Sequence, residues 1–311
     1  MTDTEVLLQQ IITGVSNGMI IALIALGYTM VYGIVELINF AHGDLFMLGA
    51  FLALTILGIV GENNISLSLL FILVPCFCAI LNYLIDKFAY RPLRDAPRLA
   101  PLVSAIDVSF ILLNTGLFWG GLPMEVFNHG QTAAAPKNFP LLITNENLLG
   151  ESVIQFTSKD LLVFLITIPL MLALTYLVKF TRLGKAMRAV SQNATAAKLM
   201  GIDVNGIIGI TFLIGGALGG FSSVIYALYN NTIYFQMGYR VGIDAFTAAV
   251  LGGIGNLPGA VLGGILIGII RAMSDQYIAT QWTNVIVFSI LILVLIFRPS
   301  GLLGAVLKEK V

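Results

Sequence analysis

Long apolar stretches alternate along this chain with short clusters that hold nearly all of its charge. The intervals free of Asp, Glu, Lys and Arg are 6–35, 45–61, 63–85, 108–124, 161–178, 204–239, 245–270 and 276–297. Most have the length of a helix that crosses the hydrocarbon core, about 17–25 residues. The 6–35 and 204–239 intervals are longer and include interfacial ends. The 245–270 interval is interrupted by Gly252, Gly253, Gly255, Pro258 and Gly259, residues that break or turn a helix and admit two short pieces. The pattern predicts an all-α, polytopic transmembrane helical bundle. It has about eight to ten membrane segments, some glycine-broken, within a single domain over 1–311.

The polar clusters set orientation. Lys87, Arg91, Arg94 and Arg98 follow the third interval; Lys179, Arg182, Lys185, Arg188 and Lys198 follow the fifth; Arg298, Lys308 and Lys310 follow the last. Basic residues flank membrane segments on the cytoplasmic side, which places all three groups there. The 123–160 connection carries Glu125, Glu146 and Glu151 against Lys137 and Lys159 and reads as an external loop. Three spans before Lys87 put the N-terminus outside. Between Asp203 and Arg298 the chain then needs an even number of crossings, which requires either that the 241–275 stretch cross twice or that the span count differ from the one given.

Composition agrees. Hydrophobic residues are 58% and charged residues 10%, against about 25% charged in a soluble domain. The formal net charge is zero, so overall charge points to no nucleic-acid partner. Cys76 and Cys78 lie about 200° apart on a helix and read as small buried hydrophobes. The first residues, MTDTEVLLQQ, lack the basic start of a cleaved signal peptide, so the first span is expected to be retained. Gly215 and Gly219, Gly216 and Gly220, Gly255, Gly259 and Gly263, and Gly264 and Gly268 recur at four-residue spacing, which lets helix backbones approach closely.

One polar cluster stands out. Asn39-Phe-Ala-His42-Gly43-Asp44 separates two apolar runs. Ionisable groups at membrane depth face a protein interior or a wet pathway, and non-helical backbone there must be buried or line a cavity. Two readings stand: a hydrated interfacial turn, or a broken helix lining a translocation path. The second half offers a counterpart in Gly242-Ile243-Asp244 followed by Gly252, Gly253 and Asn256. Interrupted segments in corresponding halves point to a midplane site and a possible inverted repeat. Candidate pathway residues are therefore Asn39, His42, Gly43 and Asp44, with Asp244, Gly252, Gly253 and Asn256 opposite. Glycines there expose backbone groups to such a path; Asn39 and His42 supply neutral donors and acceptors.

The basic segment 181–203 is helix-favouring, with Met187, Val190, Ala194 and Ala197 on one stripe and Gly201 placed to end it. Two readings stand here as well, a membrane-surface loop or a docking helix for a cytoplasmic partner. Several chemistries are absent. No G-x-x-x-x-G-K-[ST] occurs, so the chain cannot cradle nucleotide phosphates by that route. It has no H-E-x-x-H, no G-x-S-x-G and no Cys/His cluster, and only two histidines.

These segments together resemble the branched-chain amino-acid permease family of bacterial ABC importers, the LivH-type membrane subunit. The matching stretches are Asn17–Tyr32, Ile38–Met47 (INFAHGDLFM), Tyr90–Arg94 (YRPLR), Gly184–Asp203, Gly252–Gly264 (GGIGNLPGAVLGG) and Phe297–Gly304 (FRPSGLLG). The resemblance implies an inner-membrane permease that moves branched-chain or neutral amino acids by alternating access. It implies a second related permease, two cytoplasmic ATP-binding subunits that hold ATP and Mg, and a periplasmic amino-acid-binding protein. The chain itself would carry no cofactor and catalyse no reaction, and it would meet membrane lipid but no nucleic acid.

Under the same resemblance, 181–203 is the coupling helix. Thr195-Ala196-Ala197-Lys198-Leu199-Met200-Gly201 is similar to the E-A-A-x-x-x-G loop of importer permeases, with Thr195 in place of the Glu. Contacts to the ATPase fall on Arg188, Ala196, Ala197, Gly201 and Asp203. Asp107 is a further departure, a carboxylate where such permeases show a small neutral residue. The rivals are a urea or amide ABC importer permease and a proton-coupled carrier that uses His42 and Asp44 as a relay. A membrane enzyme is a third, and no catalytic constellation supports it.

Overall fold

A computed structural model describes residues 3–35, 39–61, 64–94, 96–97, 99–130, 132–150 and 152–304. Arg98, Glu151, Lys308 and Lys310, used above to set orientation, lie outside the described residues. Eleven α-helices make up most of the described chain: α1 Asp3–Val35, α2 Ala41–Val60, α3 Asn64–Ile85, α4 Leu99–Gly120, α5 Ser158–Phe180, α6 Arg182–Gln192, α7 Ala194–Leu199, α8 Val204–Asn230, α9 Met237–Gly252, α10 Leu257–Tyr277 and α11 Thr283–Phe297. Eight helical segments are long and apolar enough to cross a membrane, those built on α1, α2, α3, α4, α5, α8, α10 and α11. The polytopic helical bundle expected from the apolar intervals is what forms.

The structure redraws four boundaries. The 245–270 interval is split, because α9 ends at Gly252 and α10 starts at Leu257. Gly253 and Gly255 at the turn have φ of 105° and 87°, a region that side chains with a Cβ avoid. Gly255 therefore belongs to a turn and not to the packing stripe with Gly259 and Gly263. The long 204–239 interval ends its helix at Asn230. Thr232–Ile233 (β2) then runs extended and pairs antiparallel with Lys137–Asn138 (β1) of the 123–160 loop. The 108–124 interval starts early, because α4 takes in Leu99–Asp107. Finally, the single helix expected over 181–203 is two helices, α6 and α7.

The split at Gly253–Asn256 divides the 241–275 stretch into α9 and α10, of which α10 alone is long and apolar enough to cross a membrane. At 16 residues, α9 is about 24 Å long, short for the hydrocarbon core, and the non-helical stretch from Asn231 leads into it.

The chain divides into two compact units. One comprises Met1–Thr29, Ile143–Thr175 and Asp244–Val311; the other comprises Met30–Leu142 and Tyr176–Ile243. In the first, small residues bring α1 against α10. A Cβ on Gly18 would lie 2.7 Å from Ile265 Cα, and one on Gly264 would lie 2.6 Å from Ala22 Cα. Both are inside van der Waals contact, so only glycine allows the approach. In the second, α3 and α8 pack by the same device: a Cβ on Gly220 would lie 2.5 Å from Pro75 Cα, and one on Gly216 would lie 2.9 Å from Ala79 Cα. Lipid tails are as apolar as the helices, so such close packing, not hydrophobic exclusion, holds membrane helices together.

Candidate functional site

The hexapeptide lies at the start of α2, inside the second unit, and it is buried. Asn39 and Asp44 are each 2% exposed and His42 is 1% exposed. A hydrated interfacial turn is therefore excluded for these three side chains. The Asn39 carbonyl accepts from His42 N–H at 3.1 Å and starts the helix. The Asn39 side chain is held on both sides. Its amide donates to Asn82 Oδ1 at 3.4 Å, and its carbonyl accepts from the Tyr90 hydroxyl at 2.7 Å. Asn82 in turn donates to the Phe212 carbonyl of α8 at 2.6 Å. The His42 ring lies over Gly219 of α8, where a Cβ would come 3.5 Å from Cε1.

Asp44 sits in the first turn of α2, where the partial positive charge of the helix start favours a carboxylate. Ser109 of α4 donates to its Oδ2. Its Oδ1 is buried and has no hydrogen-bond partner among the described residues. The start of α9 packs directly on this turn. A Cβ on Gly238 would lie 2.6 Å from the Gly43 carbonyl oxygen and 2.8 Å from Asp44 Oδ1. A Cβ on Gly43 would strike the Gly238 carbonyl and lie 2.9 Å from Gly242 Cα. Gly43, Gly238 and Gly242 thus let the first turns of two helices meet backbone to backbone, with one unsatisfied carboxylate oxygen between them.

The second-half candidates belong to the first unit and have other partners. Asp244 forms an ion pair with Arg271 of α10, and Arg271 also donates to Asn284 at 2.8 Å. Gly252 packs on Gly259. Asn256 caps α10 by accepting from Gly259 N–H at 3.1 Å, and its amide donates to the Leu303 carbonyl at 2.5 Å. Leu302 and Leu303 N–H donate to the carbonyls of Leu251 and Gly252 at 2.9 and 3.0 Å. The GGIGNLPGA and FRPSGLLG strings are therefore two parts of one turn cluster.

In the basic segment, Thr181 caps α6 by accepting from Gly184 N–H at 3.1 Å, and Asn193 caps α7 by accepting from Ala196 N–H at 2.9 Å. Asn193 is what divides the expected single helix. Its φ of −161° and ψ of 102° are extended, and its side chain serves the next helix. Met187, Val190 and Ala197 of the expected stripe are buried, whereas Ala194 is exposed. Gly201 has a φ of 81°, the left-handed geometry that ends helices. Arg188 is exposed and folds back to donate to the Val178 and Lys179 carbonyls at the end of α5. Ala196 and Asp203 are exposed, and the segment ends in Leu199 and Met200, 84% and 83% exposed. Asp107 is exposed too, while Ser109, two residues on, reaches Asp44.

Sequence reasoning missed Ser109, Asn82, Tyr90, Gly238 and Arg271, and named Gly242 only as part of the second-half counterpart. A signal existed for some of them. Gly238 and Gly242 stand at four-residue spacing, and Asn82 is a lone amide in an apolar run. Nothing local marks Ser109.

A glycine-packed, multi-pass helical bundle with a buried polar helix start defines a membrane transport component. The comparisons with known proteins identify which. A family model described as "Branched-chain amino acid transport system / permease component" matches residues 10–295, and the chain belongs to that family. It is 40% identical to the high-affinity branched-chain amino acid transport system permease protein BraD of Pseudomonas aeruginosa, over 98% of both chains. It is 37% identical to the corresponding protein LivH of Escherichia coli, over 98% of this chain and 97% of that one. The probable permease LivM of Methanocaldococcus jannaschii is 30% identical over 40% of each chain. No solved structure matches. The chain is accordingly a multi-pass bacterial inner-membrane permease, one component of a transport system and not an enzyme.

Proposed function

We propose that this permease carries branched-chain amino acids into the cell as the membrane subunit of an ABC importer. Near full-length identity of 37–40% to high-affinity branched-chain amino acid permeases carries this reading. In it, a second, related permease completes the membrane part, two cytoplasmic subunits hold ATP and Mg, and a periplasmic protein delivers the amino acid. The exposed end of α7, with Ala196, Leu199 and Met200, and the Gly201–Asp203 turn form the surface for the ATP-binding subunits. Arg188 positions that surface by holding α6 on the end of α5.

The substrate's α-ammonium pairs transiently with Asp44 Oδ1, and its carboxylate meets the positive starts of α2 and α9. Asn39 and His42 border the same place. Because Gly43 and Gly238 touch, this arrangement is closed, and substrate enters it only as α2 and α9 part. A ligand drives such a change only by binding the two arrangements unequally. Transport by the assembled importer in proteoliposomes tests the reading. Labelled leucine uptake should be ATP-dependent and should fall with excess valine or isoleucine but not with urea. ATP-independent uptake by this chain alone, or competition by urea, would overturn it.

A further inference from the structure

The second unit holds an open cavity of about 830 Å³. Its walls come from the end of α1, the 90–96 segment that follows α3, the starts of α4 and α8, and the α6–α7 segment. It therefore lies on the side that the basic flanks assign to the cytoplasm. Its lining is mixed in a specific way. Arg91 and Lys198 supply two cations, and neither is in an ion pair among the described residues. Arg94, by contrast, is engaged by Asp86 and Asn205. Asp203 supplies one carboxylate, and Val190, Ile202 and Ile208 supply aliphatic surface. The Tyr90 hydroxyl, which donates to Asn39, belongs to the lining residue that joins the cavity to the buried hexapeptide.

Cations, one carboxylate and branched aliphatic surface together are the complement of an aliphatic amino-acid zwitterion. We infer that this cavity is a product-sensing site: an aliphatic amino acid binds from the cytoplasm, its carboxylate on Arg91 and Lys198 and its ammonium on Asp203. Solvent-facing ion pairs are weak, so affinity falls in the millimolar range, near the concentration of an accumulated product and not of a scarce nutrient. Because Val190 and Lys198 belong to α6 and α7, an occupied cavity resists movement of the coupling segment. Linkage makes the effect reciprocal: if occupancy favours one position of the segment, holding that position favours occupancy. Accumulated amino acid then slows its own import. The inference rests on the importer reading above.

The test uses the assembled importer with Cys76→Ser and Thr195→Cys, which puts one accessible thiol in the cavity wall. In detergent, leucine at about 10 mM should slow maleimide labelling about fivefold, a modest coupling, while leucinamide, which lacks the carboxylate, should not. Arg91→Gln with Lys198→Gln should abolish the protection. No protection by leucine, or equal protection in the double variant, overturns the inference. In proteoliposomes, leucine in the lumen should reduce ATP-driven uptake, and the ratio of uptake with and without it should approach one in the double variant. The ratio is taken within each variant, so slower basal transport does not affect it. An unchanged ratio also overturns the inference. Labelling protection without any leucine uptake keeps the cavity site and rejects the importer reading; uptake without protection does the reverse.

Discussion

Asp44 and Asp244 are both buried carboxylates, 2% and 6% exposed, one in the first turn of α2 and the other midway along α9, yet the chain treats them differently. Asp244 has a guanidinium on it, and that guanidinium is braced by Asn284. Asp44 has a serine hydroxyl on one oxygen and nothing on the other among the described residues. A buried charge is stable when paired and hydrogen-bonded and costly when it is not. Asp244 is thus balanced from within, as a strut between α9 and α10. In the proposed reading, Asp44 is balanced by the substrate's ammonium. Burial alone does not distinguish a structural acid from a functional one; the completeness of its partners does.

Breaking the strut should have the largest effect. Arg271→Met leaves the Asp244 charge buried and alone, a loss of about 3–5 kcal/mol. It should appear as a lower thermal midpoint and poor recovery of folded protein, with partial rescue by adding Asp244→Asn. A midpoint equal to that of the wild type would remove the distinction between the two acids. Asp44→Asn should do the opposite, leaving assembly intact while uptake falls about tenfold or more, the worth of a hydrogen bond to a charged group at about 1.5–3 kcal/mol. If uptake stays normal, Asp44 is not a substrate contact.

Gly238→Ala sharpens the comparison from the other side, because its methyl group would press on both Asp44 Oδ1 and the Gly43 carbonyl. Overpacking of this kind costs about 1–3 kcal/mol; the thermal midpoint should drop and uptake should fall with it. Gly150→Ala, where open space surrounds the residue but φ is 69°, controls for backbone strain alone.

The smallest effect concerns a third buried charge, Lys137 in the 123–160 loop. Its ammonium donates to the Phe127 and Thr132 carbonyls at 3.4 and 2.5 Å, and burial pushes its pKa below the usual lysine value. The charged form is therefore the disfavoured one in the folded loop. Its penalty is full below the lowered pKa and is relieved as pH rises toward the ordinary value. The thermal midpoint of the wild type should gain slightly on that of Lys137→Met as pH rises from about 8 to 10. A gap that narrows instead would contradict the desolvated lysine.

The fold and one wall of the site were legible for a simple reason. Hydrocarbon tolerates few polar residues, so each one that appears is informative. Asn39, His42 and Asp44 stood out against apolar runs and proved buried. Their partners did not stand out, because Ser109, Asn82 and Tyr90 meet them across long stretches of chain, and serine in a membrane helix is common. The division of α9 from α10 was written in Gly253 and Gly255. The break at Asn193 was hidden, because alanine-rich flanks favour helix and only the extended backbone at Asn193 reveals a cap. Asp244 looked like the twin of Asp44 until Arg271, 27 residues on, was found beside it.

The tie between the FRPSGLLG segment and the α9–α10 turn has a consequence for biosynthesis. Leu303 receives the Asn256 amide from 47 residues earlier, so the turn leaves the ribosome well before the strand that completes it exists. Until α11 has been inserted and Leu302 and Leu303 have emerged, the carbonyls of Leu251 and Gly252 and the Asn256 amide have only water or the insertion machinery for partners. Maturation of that hairpin is therefore late by construction. A chain truncated after Phe297 should leave α9–α10 sensitive to protease once it is released into the membrane, and one truncated after Gly304 should leave it resistant.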